Sequence, residues 1–148
     1  MSDPGRSSCE FDQDSLIVRA DLTVPGDVKA ISPAVKQILG LAAQMGCAAG
    51  KEFEIETAIR EALANAIVHG CQRDASKTVQ ISVGCDEARG MIIVVRDPGP
   101  GFDPAQLPNP IVGERLFDEH GRGIYLINQL MDEVRFRNQG TEIWMRKR

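Results

Sequence analysis

Between Leu16 and Val24 apolar and polar residues alternate, with Leu16, Val18, Ala20, Leu22 and Val24 separated by Arg19, Asp21 and Thr23. A period of two sends successive side chains to opposite faces of a sheet, so this segment predicts a half-buried strand. Pro25-Gly26-Asp27 signals a turn, and the period then changes. Ile31, Val35, Ile38, Leu39 and Ala42 recur at helical spacing up to Gly46, and Pro33 fits only the first turn of such a helix. A second helix is expected from about Lys51 to His69, where Ile55, Ile59, Leu63 and Ala66 make an apolar stripe and Gly70 supplies a stop. Val79, Ile81 and Val83 alternate with Gln80 and Ser82, and Met91 to Val95 is rich in β-branched residues, which predicts a hairpin turning near residues 86–90. Beyond a stretch rich in glycine and proline, a helix is expected from Gly121 to about Met131, followed by strands at Val134–Arg137 and Thr141–Met145.

Several strands thus carry one apolar face, and three helices are available to cover them. The helices should therefore pack on one side of the sheet, as a two-layer α/β (α+β) sandwich with a mixed, mostly antiparallel sheet. A doubly wound fold would bury both faces and erase the alternation.

Composition narrows the class without changing this picture. The 148 residues suffice for one domain with a core, expected over residues 15–148 behind a polar, flexible tail at 1–14. No apolar run approaches the roughly 18 to 20 residues that a membrane span requires. The opening MSDPGRSSCEFDQD lacks the basic-then-apolar order of a secretory signal, so a cytoplasmic location is expected, with no membrane partner. A net charge of −4 argues against direct nucleic-acid binding, although RFRNQGTEIWMRKR is locally basic. Cys9, Cys47, Cys71 and Cys85 form no CxxC pair, which points to free thiols and to no zinc site.

The second predicted helix holds Glu61, Asn65 and His69, each four positions apart and therefore on one face beside the apolar stripe. A lone pair at that spacing is ordinary on a solvated face. Next comes DPGPGFD: Asp97 ends an apolar strand, where an acid can accept a hydrogen bond from a ligand amine, and Gly99 and Gly101 allow close backbone approach. The same letters also make an ordinary turn. Residues 104–120 form a connection of a length usually reserved for lids or disorder. It ends in Gly121-Arg122-Gly123-Ile124 at the head of a helix, where free N–H groups and the helix dipole favour phosphate. No GxGxxG follows the first strand, and no Walker GKS or GKT occurs.

Taken in order, ExxxN on a helix, DxGxG after a strand, a long connection and GxG at a helix start resemble the GHKL (Bergerat-fold) ATPases over nearly all of residues 15–148. EALANAIVHG, RDPGPGFDP, HGRGIYLINQLMDEV and GTEIWMRK look most like the anti-sigma-factor serine kinases of that group. The resemblance implies ATP and Mg2+ as cofactors, with Asn65 on the metal, Asp97 on adenine and Glu61 as the general base. Gly99, Gly101 and Phe102 would flank the adenine contact. Gly121, Arg122, Gly123 and Ile124 would admit the phosphates, and Thr141 would assist near adenine. It further implies a regulatory kinase that sequesters a sigma factor and phosphorylates a serine on a small anti-anti-sigma antagonist, as a possible homodimer. The alternative is a catalytically weak ATP-binding module that controls a partner through a nucleotide-ordered lid. One departure stands out: the family often carries an arginine just ahead of GxG, where this chain has Asp118, Glu119 and His120. Arg122 or Arg115 are the candidate substitutes, while His69, His120, Tyr125 and Trp144 read as helix-end, lid and packing residues.

Overall fold

A computed structural model gives the fold and describes residues 18–47, 49–86, 89–101 and 119–148. Strand β1 (Val18–Pro25) leads through a short 3-10 turn at Val28–Ala30 into α1 (Ile31–Met45). Next come α2 (Glu52–Asn65), a π-helical turn at Ala66–Gly70, and the hairpin of β2 (Thr78–Asp86) with β3 (Gly90–Arg96). Helix α3 (Glu119–Leu130) precedes β4 (Glu133–Arg137) and β5 (Glu142–Lys147). The sheet order is β1-β2-β3-β5-β4, and each of its pairings is antiparallel, so the mixed sheet allowed by the sequence is wholly antiparallel here.

Register explains the two layers. Ile81 pairs with Val95 and Val83 with Ile93, while Ile93 pairs with Met145 and Val95 with Ile143, so one face of these three strands is continuously apolar. Against it lie Val35 and Ile38 of α1, Ile55, Ile59 and Leu63 of α2, and Ile127 of α3, all essentially inaccessible to water. Burying each such side chain contributes about 1.5–3 kcal/mol, which is why three amphipathic helices settle on this face and not on the other. The opposite face holds a smaller apolar cluster, Ile92, Val94 and Trp144, shielded by the guanidinium groups of Arg96 and Arg137 over the indole ring. That shielding is how a sheet with one open face tolerates the unbroken apolar run Met91–Val95.

The element borders follow local chemistry. Helix α1 ends at Gly46, which is left-handed (φ 75°) and donates to the carbonyls of Ala42 and Ala43. The N–H of Cys47 bonds back to Ala42, and the chain swings toward the sheet. Cys47 thereby meets Cys85 near the end of β2, their Cα atoms 6.2 Å apart, and the two form a disulfide. The expectation of free thiols is corrected for this pair: partners 38 residues apart carry no spacing motif, and only the αL turn and the strand register bring them together. Cys71 is a free, buried thiol, and Cys9 lies outside the described residues.

Candidate active site

Helix α2 sets one wall of the site. Its apolar stripe faces the sheet, which leaves Glu61 and Asn65 half-buried along its flank. Past Asn65 the helix widens: Cys71 N–H bonds to the carbonyl of Ala66, an i→i+5 link, and the turn holds more residues than an α turn. Residues four apart then stay nearly in line, and Ala62, Asn65, Ala66 and His69 all border one cleft. Gly70 does end the helical run, although the left-handed residues that redirect the chain are Gln72 (φ 54°) and Arg73 (φ 59°). His69, expected as a helix-end residue, lies in the last turn of this helical run and also borders the cleft.

The cleft encloses about 220 Å³ between α2, α3 and the ends of β3, β4 and β5. Val95, Ile124, Phe136 and Ile143 supply apolar surface, and Asp97 sits among them as the acidic group. Its N–H donates to Thr141 (2.9 Å), extending the β3–β5 ladder by one residue, and its Oδ1 accepts the N–H of Gly99 (2.8 Å). A Cβ on Gly70 would collide with the Asp97 carboxyl group, so bare backbone is what lets the acid lie against the π turn. Burial raises the Asp97 carboxyl above the usual carboxylate range, and the Gly99 bond opposes this only in part. Behind it, burial pushes the Cys71 thiol up, with the Asp97 charge adding to the effect.

At the other end, α3 packs closely on α2. A Cβ on Gly123 would stand 2.8 Å from Glu61 Oε2 and 3.4 Å from the Asn65 side chain. Glycine there lets the first turns of α3 approach both polar groups. The helix starts at Glu119, two residues ahead of expectation, so Gly121 and Gly123 lie within its opening turns and do not precede them. Ile124 is buried in the cleft, whereas Arg122 is exposed and does not line it. Gly101 and Thr141 border the cleft, and Gly99 lies against the backbone of Gly70. Phe102, Arg115 and residues 104–118 of the expected lid fall outside the described residues, and its last two positions, 119 and 120, belong to α3. Sequence reasoning missed Phe136, Ile143, Val95 and Gly140 as site residues, because inward strand positions look alike whether they touch core or cleft.

A profile of the histidine kinase-like ATPase domain matches residues 24–147. The chain belongs to that family. A serine-protein kinase RsbW of Bacillus subtilis is 31% identical over 134 residues, covering 86% of this chain and 83% of that protein. The Bacillus licheniformis serine-protein kinase RsbW is 33% identical over 115 residues (73% and 71%), and an anti-sigma F factor of Priestia megaterium 30% over 99 residues (64% and 67%). These relatives put the chain among the anti-sigma-factor kinases of the family. Among the described residues of this histidine kinase-like ATPase domain, no helix is long and apolar enough to cross a membrane.

The environment of Asp97 yields a prediction. A folded-state pKa raised above the unfolded value means that ionising Asp97 opposes folding; the cost is absent below the unfolded value, grows as pH rises from that value to the raised one, and is fully present above it. Asp97→Asn keeps the acceptor for Gly99 and removes that cost. The variant of this ATPase domain should melt no lower than the parent at neutral pH, yet bind ATP about 10-fold or more weakly, since an amide NH₂ would face a base amine. Inorganic triphosphate should bind as before. Competition calorimetry checks this, and equal losses for both ligands would leave Asp97 a turn residue only.

Proposed function

We propose that this chain is an anti-sigma factor and serine kinase that binds ATP in the cleft and transfers its γ-phosphate to a serine of an anti-anti-sigma antagonist. One observation carries the reading: Glu61 and Gly123 meet Asn65 beside a cleft that Asn65 lines together with the half-buried acid Asp97. An apolar slot with a single carboxylate suits a flat base bearing an exocyclic amine. The opposite end suits a charged, metal-bound tail. The printed names of the relatives, serine-protein kinase and anti-sigma F factor, agree with this division.

Each residue then has a stated task. Asp97 accepts from the adenine amine and sets the depth of the base. The early amides of α3 face the phosphates with the positive end of the helix dipole, and Gly123 admits them beside α2. The Asn65 side-chain oxygen is a hard donor suited to Mg2+, which when bound offsets phosphate charge; Asn65 has no hydrogen-bonding partner among the described residues that would compete for it. Glu61 takes the proton of the antagonist's serine hydroxyl as the Oγ–P bond forms and the bond from γ-phosphorus to the bridging oxygen breaks, with ADP leaving. The acceptor comes from the partner, so the chain acts by holding donor and acceptor in line.

The test joins binding and transfer. Asn65→Ala is expected to lose Mg-dependent ATP affinity by about 10-fold or more, because it removes the metal-facing oxygen and the adjacent Glu61 carboxylate serves as the proton acceptor. Calorimetry with and without Mg2+ measures it, and an unchanged, folded variant would remove Asn65 from the site. In parallel, mass spectrometry of proteins that co-purify with the chain, before and after Mg-ATP, should reveal a partner that gains one phosphate on serine.

A further inference from the structure

The connection between β4 and β5, residues 138–141, is an unusual piece of backbone at the cleft mouth. Asn138 (φ 53°), Gln139 (φ 59°) and Gly140 (φ 84°) are left-handed in succession, a conformation that side-chain-bearing residues avoid at a cost of roughly 1–2 kcal/mol each. Such geometry persists where surrounding structure over-determines it, and it gathers at functional sites. Gly140 and Thr141 line the cleft, the Thr141 carbonyl holds the backbone of Asp97, and Gly101 abuts the Gln139 carbonyl. The turn is therefore the lip beside Asp97.

What holds the turn is a carboxylate on the far face of the sheet. Glu142 is 9% exposed, and its Oε2 accepts from Asn138 Nδ2 at 2.7 Å. The carbonyl of Asn138 in turn accepts the Thr141 hydroxyl at 2.7 Å. The rest of Glu142 is anchored from behind: Arg96 Nε lies 3.3 Å from Oε2, and Trp144 Nε1 donates to Oε1 at 2.6 Å. Arg96 also donates to Ser82 Oγ (3.1 Å), and the Ser82 hydroxyl donates to Asp21 (2.6 Å), so the anchor reaches across to β1. Charge-assisted bonds to a buried acid are stronger and more directional than neutral ones.

We infer that Glu142 is a positioning residue for the nucleobase end of the site: through Asn138 it locks the left-handed turn that sets Gly140, Thr141 and the backbone of Asp97. It touches no ligand. The inference rests on the nucleotide reading of the cleft. Because the turn borders the Asp97 end and not the Glu61–Asn65 end, its loosening should weaken recognition of the base and spare that of the phosphates.

The experiment compares Mg-ATP with Mg-bound inorganic triphosphate by calorimetry on the full chain, for the parent, Glu142→Ala, Glu142→Gln and Asn138→Ala. Glu142→Ala should lose about 10-fold in ATP affinity with triphosphate within about 2-fold of the parent. Asn138→Ala, which leaves Trp144 and Arg96 paired with Glu142, should reproduce the selective loss. Glu142→Gln should recover part of it, since its oxygen still accepts from Trp144 and its NH2 can donate to the Asn138 side-chain oxygen once that amide turns over. Amide hydrogen exchange over residues 138–141 should rise in the two alanine variants alone. A general structural weakening would instead lower both affinities together, and that result, or unchanged ATP affinity in both alanine variants, overturns the inference while leaving the nucleotide site in place. A parent chain that binds no Mg-ATP overturns both.

Discussion

Glu61→Gln is expected to bind Mg-ATP as the parent does and to slow serine phosphorylation by about 10² to 10⁴-fold. The substitution conserves shape at the point where α2 and α3 touch, with Glu61 Oε2 close to where a Gly123 Cβ would stand, so packing gives no reason for a binding loss. On the proposed mechanism, what the amide lacks is the basic carboxylate that would accept the hydroxyl proton as the serine oxygen bonds to phosphorus. A loss confined to the transfer step is the mark of an interaction made only in the transition state. Single-turnover transfer to the antagonist, with ATP affinity measured on the same preparation, separates the two. A variant as fast as the parent would reduce Glu61 to a charge on the flank of a helix.

Reducing the Cys47–Cys85 bond should lower folding stability by about 4 kcal/mol, the loop-closure value for a cross-link spanning 38 residues. The bond ties the end of α1 to the end of β2. Its loss therefore frees the unfolded chain and removes the tether of one helix. For a chain of this length the thermal midpoint should fall by roughly 10 °C. Urea unfolding with and without reductant measures the difference, and a Cys47→Ser, Cys85→Ser double variant should match the reduced parent and ignore reductant. Equal stability of oxidised and reduced parent would sink this expectation. The nucleotide cleft lies at the other end of α2, so Mg-ATP affinity of whatever remains folded should change little.

The elements themselves were legible because each rests on local periodicity. The alternation of Arg19, Asp21 and Thr23 with apolar neighbours put β1 in place, and the stripe Ile55, Ile59, Leu63 put α2 in place, since both patterns are satisfied by a single apolar face. Of the candidate site, Asn65, Asp97, Gly101, Ile124 and Thr141 border the cleft, and Glu61 and Gly123 meet beside it. Glu61, Asn65, Asp97 and the two glycines stood out because polar or glycine positions interrupt an apolar pattern, whereas Ile124 and Thr141 came from the family resemblance. Phe136 and Ile143 were not found, because an inward strand residue does not announce whether helix or cleft lies above it.

Two features depended on distance in space. Cys47 and Cys85 become partners only once Gly46 has reversed the chain over the end of β2, a consequence of packing that the 38-residue interval conceals. Glu142 looked like one acid in a strand, yet the antiparallel register beside Arg96 and the turn at Asn138 buries it and gives it three partners. Sequence alone determined which residues seek the core, and hence the helices, the strands and the layer that each helix covers, because burial of apolar area is set by composition and period. The tertiary structure decided which polar groups meet, because hydrogen bonds and disulfides act over a few ångströms and depend on how distant segments cross.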